Sequence, residues 1–289
     1  MRGAMLQGTD KNVGGVVKLK ENSALTYPGT GELAVFCLAQ AGFYFKTAAG
    51  KMVCVDPYLS DCCERLFSFK RMILAPMAAK DLRADFLVAT HSHVDHLDPD
   101  LLELVKQDQQ IRFVGSPDCR SVYRQAGIDD GRVTILAAGE GCIFDSICFR
   151  AVYADHGELA PEACGFLMTL DGITVYDTGD TSYCPEQLIA SLGEVKIDLL
   201  IVPINSAFGN LGPENAVRLA ALIQPRVVIG SHFGMFIAHG GDPGAFLECA
   251  KRTLPETVTS IVMAPGERLI YSRHDGVVSS ETLKMLEQN

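Results

Sequence analysis

Residues 90–96 read Thr-His-Ser-His-Val-Asp-His, which places His91, His93, Asp95 and His96 within six positions of a chain that has only seven histidines. Crowded imidazoles beside a carboxylate repel one another when protonated and need partners when neutral. A metal ion answers both demands. His156, Asp180 and His232 each follow an apolar run in the same way. Taken singly, each is more readily a turn cap or a satisfied polar group. Taken together, His91, His93, Asp95, His96, His156, Asp180 and His232 supply five imidazoles and two carboxylates, enough for two adjacent divalent ions sharing one carboxylate and a water. Water held between such ions drops from a pKa of about 15.7 to about 7, so the chemistry read here is hydrolysis at neutral pH. Asp95 and Asp180 are the expected catalytic carboxylates, Asp95 orienting the water while it ligates. The set contains no thiolate, so manganese, zinc and iron all suit it.

These groups are carried by short elements. Runs at 33–40, 42–47 and 52–56 form a β meander, and a buried strand over 85–90 leads directly into the histidine cluster. A helix over 99–107 opens behind Asp98, whose carboxylate can cap it; a strand at 111–115 and a helix at 116–126 follow. Strands are expected at 142–154, 164–170 and 173–177, the last two joined by the hairpin dipeptide Asp171-Gly172. Helices at 186–192, 213–223 and 243–253 then alternate with strands at 198–203, 226–230 and 259–263. Pro213 and Pro243 stand at first-turn positions, where the missing amide hydrogen costs nothing. Hairpins followed by strand-helix alternation imply two sheets with helices outside them.

Composition narrows the class. The 289 residues are 48% hydrophobic and 21% charged, a globular balance without repeats or low-complexity tracts. A single domain spanning 1–289 is the simplest account, with 1–30 allowed as a peripheral segment. No apolar stretch approaches the roughly 18 residues of a membrane helix, and the first residues lack the order of a secretory signal, so a cytoplasmic protein is expected. A net charge of −10 removes any chain-wide case for nucleic acid. The ten cysteines lack CxxC spacing and are read as reduced, with Cys62 and Cys63 in a loop.

The run His91 to His96, together with His156, the Gly179-Asp180-Thr181 turn and His232, resembles the metallo-β-lactamase superfamily over residues 33–271. The resemblance implies an α/β fold, a four-layer αββα sandwich. It also implies His91, His93 and His156 on one metal, Asp95, His96 and His232 on the other, Asp180 bridging, and Asp56 supporting the metal loop from behind. Residues 55–61 (Val-Asp-Pro-Tyr-Leu-Ser-Asp), 179–183 (Gly-Asp-Thr-Ser-Tyr), and 212–216 leading to 230–236 are similar to the L-ascorbate-6-phosphate lactonase branch. That branch implies manganese, a cytosolic homo-oligomer, and opening of a lactone or similar ester of a phosphorylated sugar acid.

A small anionic substrate would need donors. Lys70, Arg71, Tyr58, Asn205, Tyr183 and His239 lie in loops able to face it. Lys70 and Arg71 are equally well a solvated pair, and for His239 a place in a mobile glycine loop is preferred over a substrate contact. The rival reading is a small-molecule or cyclic phosphodiesterase, or an RNA-processing nuclease, since such a metal centre does not choose between carbonyl and phosphorus. The spacing from Asp180 to His232 leaves no room for a large cap domain, and no basic stripe is present. A diiron redox role is disfavoured because His93 stands where that pattern has glutamate.

Overall fold

The computed structural model describes residues 16–280. Its layering follows from strand alternation. In β1 (Glu32–Ala39), Leu33, Val35 and Cys37 face one side, Ala34, Phe36 and Leu38 face the other, and all six are buried. Because neighbouring side chains point to opposite faces, a strand apolar at every position must be covered on both.

After α1 (Val16–Leu25), β1 turns back through β2 (Gly42–Thr47) and β3 (Met52–Val55), followed by α2 (Cys62–Phe67). Then β4 (Phe86–Ala89), α3 (Pro99–Val105), β5 (Arg112–Gly115), α4 (Cys119–Gln125) and β6 (Val133–Ile135) extend the sheet in parallel steps. A second sheet begins with the antiparallel β7 (Gly141–Phe144), β8 (Ile147–Tyr153), β9 (Cys164–Leu170) and β10 (Ile173–Asp177). It continues in parallel through α5 (Pro185–Leu192), β11 (Leu199–Pro203), α6 (Pro213–Ile223), β12 (Val227–Ser231), α7 (Pro243–Thr253) and β13 (Thr259–Val262). The hairpin β14 (Arg268–Ser272) and β15 (Gly276–Ser280) returns to pair with β1, giving strand orders β15-β14-β1-β2-β3-β4-β5-β6 and β13-β12-β11-β10-β9-β8-β7.

Three apolar layers hold this together. Val35, Phe45, Phe149, Phe166, Met168 and Ile201 lie between the sheets. On one outer face Leu87 and Phe113 of the sheet cluster with Leu101 of α3 and Tyr123 of α4, and on the other Leu200 and Val202 cluster with Val217 of α6 and Phe246 of α7. The four-layer αββα sandwich expected from the sequence is the architecture observed.

Several expectations hold in detail. Asp171 (φ 48°) and Gly172 (φ 84°) both take the left-handed conformation of a tight hairpin, and Asp98 caps α3 by accepting from the amides of Asp100 and Leu101. Others are corrected. The single strand at 142–154 is a hairpin, β7 and β8, that turns through Asp145 at φ 53°. Cys62 and Cys63 open α2 and are buried rather than lying in a loop. The short β6, β14 and β15 were not anticipated, since three to five residues of mixed polarity give little periodic signal. All ten cysteines are unpaired thiols. Burial pushes Cys37 up to about 12 and Cys164 up to about 11. Residues 1–15 lie outside the described residues, while α1 delivers Leu19 into the outer apolar layer. No helix among the described residues is long and apolar enough to cross a membrane.

Phe166 is fully buried where the two sheets meet. Phe166→Ala should lower unfolding free energy by about 3–5 kcal/mol, read from denaturant midpoints. Ile143→Ala, at a position 71% exposed, should shift it by less than about 0.5 kcal/mol.

Candidate metal centre

Every candidate ligand follows the carboxyl end of a strand, and the strands concerned run the same way within their own sheets. The cluster 91–96 follows β4, while His156, Asp180 and His232 follow β8, β10 and β12. Asp56 ends β3, whose Val55 lies opposite Val88 of β4, so its carboxylate reaches the start of the cluster.

That carboxylate sets the ring orientations. Its Oδ1 accepts from the Thr90 amide at 2.8 Å, and its Oδ2 accepts from Thr90 Oγ1 at 2.6 Å and faces His96 Nδ1 at 2.7 Å. An ionised carboxylate only accepts, so His96 carries its proton on Nδ1 and offers Nε2 inward. The Thr90 hydroxyl, having donated to Asp56, accepts from His91 Nδ1 at 3.1 Å, which frees His91 Nε2. His93 Nε2 donates to the Leu159 carbonyl at 3.2 Å, leaving Nδ1 as its inward nitrogen.

The free lone pairs converge. Three sets, His91/His93/His156, His91/His96/Asp180 and Asp95/His96/His232, each bring one donor atom per residue within 4.8 Å of the others. Asp180 lies between the outer two sets, with Oδ2 at 3.7 Å from His156 Nε2 and 3.3 Å from His232 Nε2, and Oδ1 at 3.5 Å from His96 Nε2. His91 Nε2 and His93 Nδ1 stand 2.8 Å apart with their other nitrogens already donating. Two lone pairs at that distance repel unless a cation lies between them, so the donor chemistry fits a metal.

Electrostatics are correspondingly strong. Burial, with His96 adding, holds His91 well below its ordinary pKa. Burial also opposes charge on His96 and Asp180, but attraction outweighs it. Asp180, Asp56 and Asp95 raise His96 well above its usual range, and His232 and His96 hold Asp180 well below its own. Outside the ligand set, burial and then the neighbouring Asp56 push Asp177 up to about 8.

The two sheets meet tightly here. The His232 amide donates to the Gln40 carbonyl at 2.8 Å, and the Cys164 amide to the Thr90 carbonyl at 3.0 Å. Gly179 (φ +59°) passes Thr90 so closely that an added Cβ would lie 2.9 Å from the Thr90 Cβ. The centre forms the floor of a cavity of about 350 Å³ with Cys63, Phe67, Phe69, Leu159 and Phe208 in its walls. Among the described residues no Lys or Arg lines it.

The expected substrate contacts divide. His239 lines the cavity; it is buried, its Nδ1 2.9 Å from Gln40 Nε2, and it stacks on His232 with ring centroids 5.2 Å apart. The expectation of a mobile position for His239 is therefore corrected. Burial and then His232 push His239 down to about 4. Tyr58 is wholly buried against Phe236, and the Arg71 guanidinium lies over its ring at 4.8 Å while donating to the Ser60 carbonyl at 2.9 Å. Arg71 and Lys70 line a different groove, because the guanidinium is consumed in fixing its own loop. Asn205 is buried and Tyr183 packs beneath the second sheet's helices; neither lines the cavity.

Two contributors were missed. Gln40, in the β1–β2 turn, donates to Asp95 Oδ2 at 3.0 Å, and Asn210 donates to Asp180 Oδ2 at 2.7 Å. Asn210 stands two residues before the Gly212-Pro213 helix start, the one local signal for it, whereas Gln40 has none.

The family description "Beta-lactamase superfamily domain" matches residues 52–233. A metal-dependent hydrolase of Heliobacterium modesticaldum is 28% identical over 219 residues, covering 70% of this chain and 86% of the relative. Among solved structures, a metallo hydrolase of the archaeon Ignicoccus hospitalis superposes with a TM-score of 0.64 at 22% identity, covering 83% of this chain and 99% of that one. An isothiocyanate hydrolase from Delia radicum gut bacteria superposes at 0.67 and 20% identity, with the same two coverages.

Asp56→Ala should weaken metal retention by roughly 10–100-fold, as loss of a ligand-orienting partner does, measured as metal content after dialysis against a graded chelator. In metal-stripped protein, the folded state keeps the Asp177 proton up to about pH 8, while the unfolded chain releases it near about 3.9. The folded state therefore binds that extra proton across the window, so the Asp177 contribution to stability should fall as pH rises from 4 to 8. Asp177→Asn should flatten that fall in urea midpoints.

Proposed function

We propose, for a chain that belongs to the metallo-β-lactamase superfamily, that this metal-dependent hydrolase opens a lactone or similar ester of a small molecule whose non-reacting part is apolar. One observation carries the reading: Asp180 lies between two sets of inward-facing donors at the floor of a cavity with aromatic and aliphatic walls.

His91, His93 and His156 would hold one divalent ion, Asp95, His96 and His232 a second, with Asp180 shared between them. Bound there, such ions supply Lewis acidity and lower the pKa of water to about 7. The residues of the chain do the rest. Asp95 Oδ2, fixed by Gln40 at 3.0 Å, accepts a hydrogen bond from the attacking water and aims it at the carbonyl carbon. Asp56 and Thr90 keep the His96 and His91 tautomers constant through the cycle. Phe69, Phe208 and Leu159 exclude bulk water and seat the apolar part of the substrate. Water adds to the carbonyl carbon, the ester C–O bond breaks, and the products are a carboxylate and an alcohol that takes up the proton.

The lining favours this substrate over the phosphorylated sugar acid expected from the resemblance. A phosphate wants cationic or amide donors, and among the described residues the cavity wall holds no Lys or Arg. Manganese is the ion we favour among those suited to nitrogen and oxygen donors.

Metal analysis joined to a hydrolysis screen tests the reading. Protein loaded with manganese, zinc or iron should turn over a lactone bearing an apolar side chain faster than a sugar-phosphate lactone or a phosphodiester. Asp180→Ala should reduce kcat/KM by roughly three orders of magnitude, the equivalent of several kcal/mol of lost transition-state stabilisation. Undiminished turnover by both Asp180→Ala and His93→Ala overturns the proposal, and preferential phosphodiester cleavage replaces the carbonyl substrate.

A further inference from the structure

We infer that His239 is a catalytic residue, a neutral imidazole whose Nε2–H donates to the carbonyl oxygen as it takes on negative charge, and that Gln40 is the positioning residue that fixes this tautomer. The inference rests on the hydrolase reading above and assigns a role to a side chain outside the proposed ligand set.

The tautomer follows from one amide. Gln40 Nε2 lies 3.0 Å from Asp95 Oδ2 and 2.9 Å from His239 Nδ1. Amide nitrogen and oxygen are interchangeable in shape, so chemistry must decide which atom points this way. An amide oxygen facing a carboxylate oxygen at 3.0 Å would set two acceptors against each other. The NH2 group must therefore face Asp95, and its two hydrogens match its two nearest acceptors. The His232 nitrogens, at 3.3 and 3.4 Å, are the longer contacts. A nitrogen that receives a hydrogen cannot carry one, so His239 Nδ1 is bare and the ring proton is on Nε2.

The ring is also held in place. It stacks on His232 with an interplanar angle of 7°, and Phe69, Phe208 and Phe236 meet it edge-on at 5.4, 5.0 and 4.8 Å between centroids. Ring rotation would break the Gln40 contact and disturb all four neighbours. Nε2 has no hydrogen-bond partner among the described residues, and His239 lines the cavity beside Asp95, Asp180 and His232. A preorganised donor in a dry, aromatic-walled site is worth most where charge develops. A neutral imidazole suits this task, because it stabilises the oxyanion without surrendering its proton.

Two measurements separate this role from the hydrolase reading. Ring ¹⁵N NMR of the protein loaded with diamagnetic zinc should show His239 as the Nε2–H tautomer, and Gln40→Leu should give a mixture. An Nδ1–H ring in the wild type overturns the inference whatever the enzyme hydrolyses. With the best lactone or ester from the screen, His239→Phe, which keeps the aromatic packing, should lose roughly 10²–10³-fold in kcat. KM and metal content should change little, and His239→Gln, which retains an N–H donor, should recover part of the loss. Wild-type kcat in His239→Phe removes the role and leaves the hydrolase standing. Absence of turnover by the wild type on every ester tested removes both.

Discussion

The candidate metal centre depends on a single buried carboxylate outside the three convergent donor sets. Asp56 receives the amide and hydroxyl of Thr90 and the Nδ1 of His96, and through Thr90 it also fixes His91. A strand end, a loop and two imidazole tautomers are thereby tied to one side chain. The burial that makes these bonds strong would penalise each group left unpaired, so the loop has one satisfactory arrangement. In that arrangement three histidines present Nε2, Nδ1 and Nε2 inward from positions 91, 93 and 96, each with its remaining nitrogen engaged.

The second constraint is the seam between the sheets. Each half of the chain carries part of the donor set, so registration of the halves decides whether it converges. Registration comes from backbone contacts, Gln40 with His232 and Thr90 with Cys164, and from the side-chain-free face of Gly179 against Thr90. The inter-sheet layer built on Phe149, Phe166 and Ile201 supplies stiffness, and the polar contacts select the alignment. Gln40 joins both roles, since its carbonyl holds the His232 backbone while its amide reaches Asp95 and His239.

Much of this was legible in the sequence because its strongest signals are local. The apolar runs of β1 and β11, the prolines opening α6 and α7, and Asp171-Gly172 each report a structure set within a few residues. The histidine cluster is legible for the same reason, and His156, Asp180 and His232 by their recurrence after strands. What escaped is set by distance. Gln40 acquires its role only when the β1–β2 turn meets residues 55, 192 and 199 positions away. Tyr58 and Arg71 have the right chemistry for a substrate contact, but the guanidinium lies over the Tyr58 ring and donates to the backbone of its own loop. The break between β7 and β8 was hidden because Asp145-Ser146 interrupts the apolar pattern for only two residues.

The return of β14 to the flank of β1 also orders events during synthesis. The inner flank of β1 is covered by β2 almost at once, but its other flank waits for residues 268–272, which pair with residues 32–36. A chain emerging from the ribosome thus carries an open, apolar strand edge through most of translation, the kind of edge that invites intermolecular pairing. His232 also appears late, so the nascent protein holds its early histidines before it can close the pocket around a cation. Sealing of the first sheet and completion of the donor set both therefore wait for the last fifth of the chain.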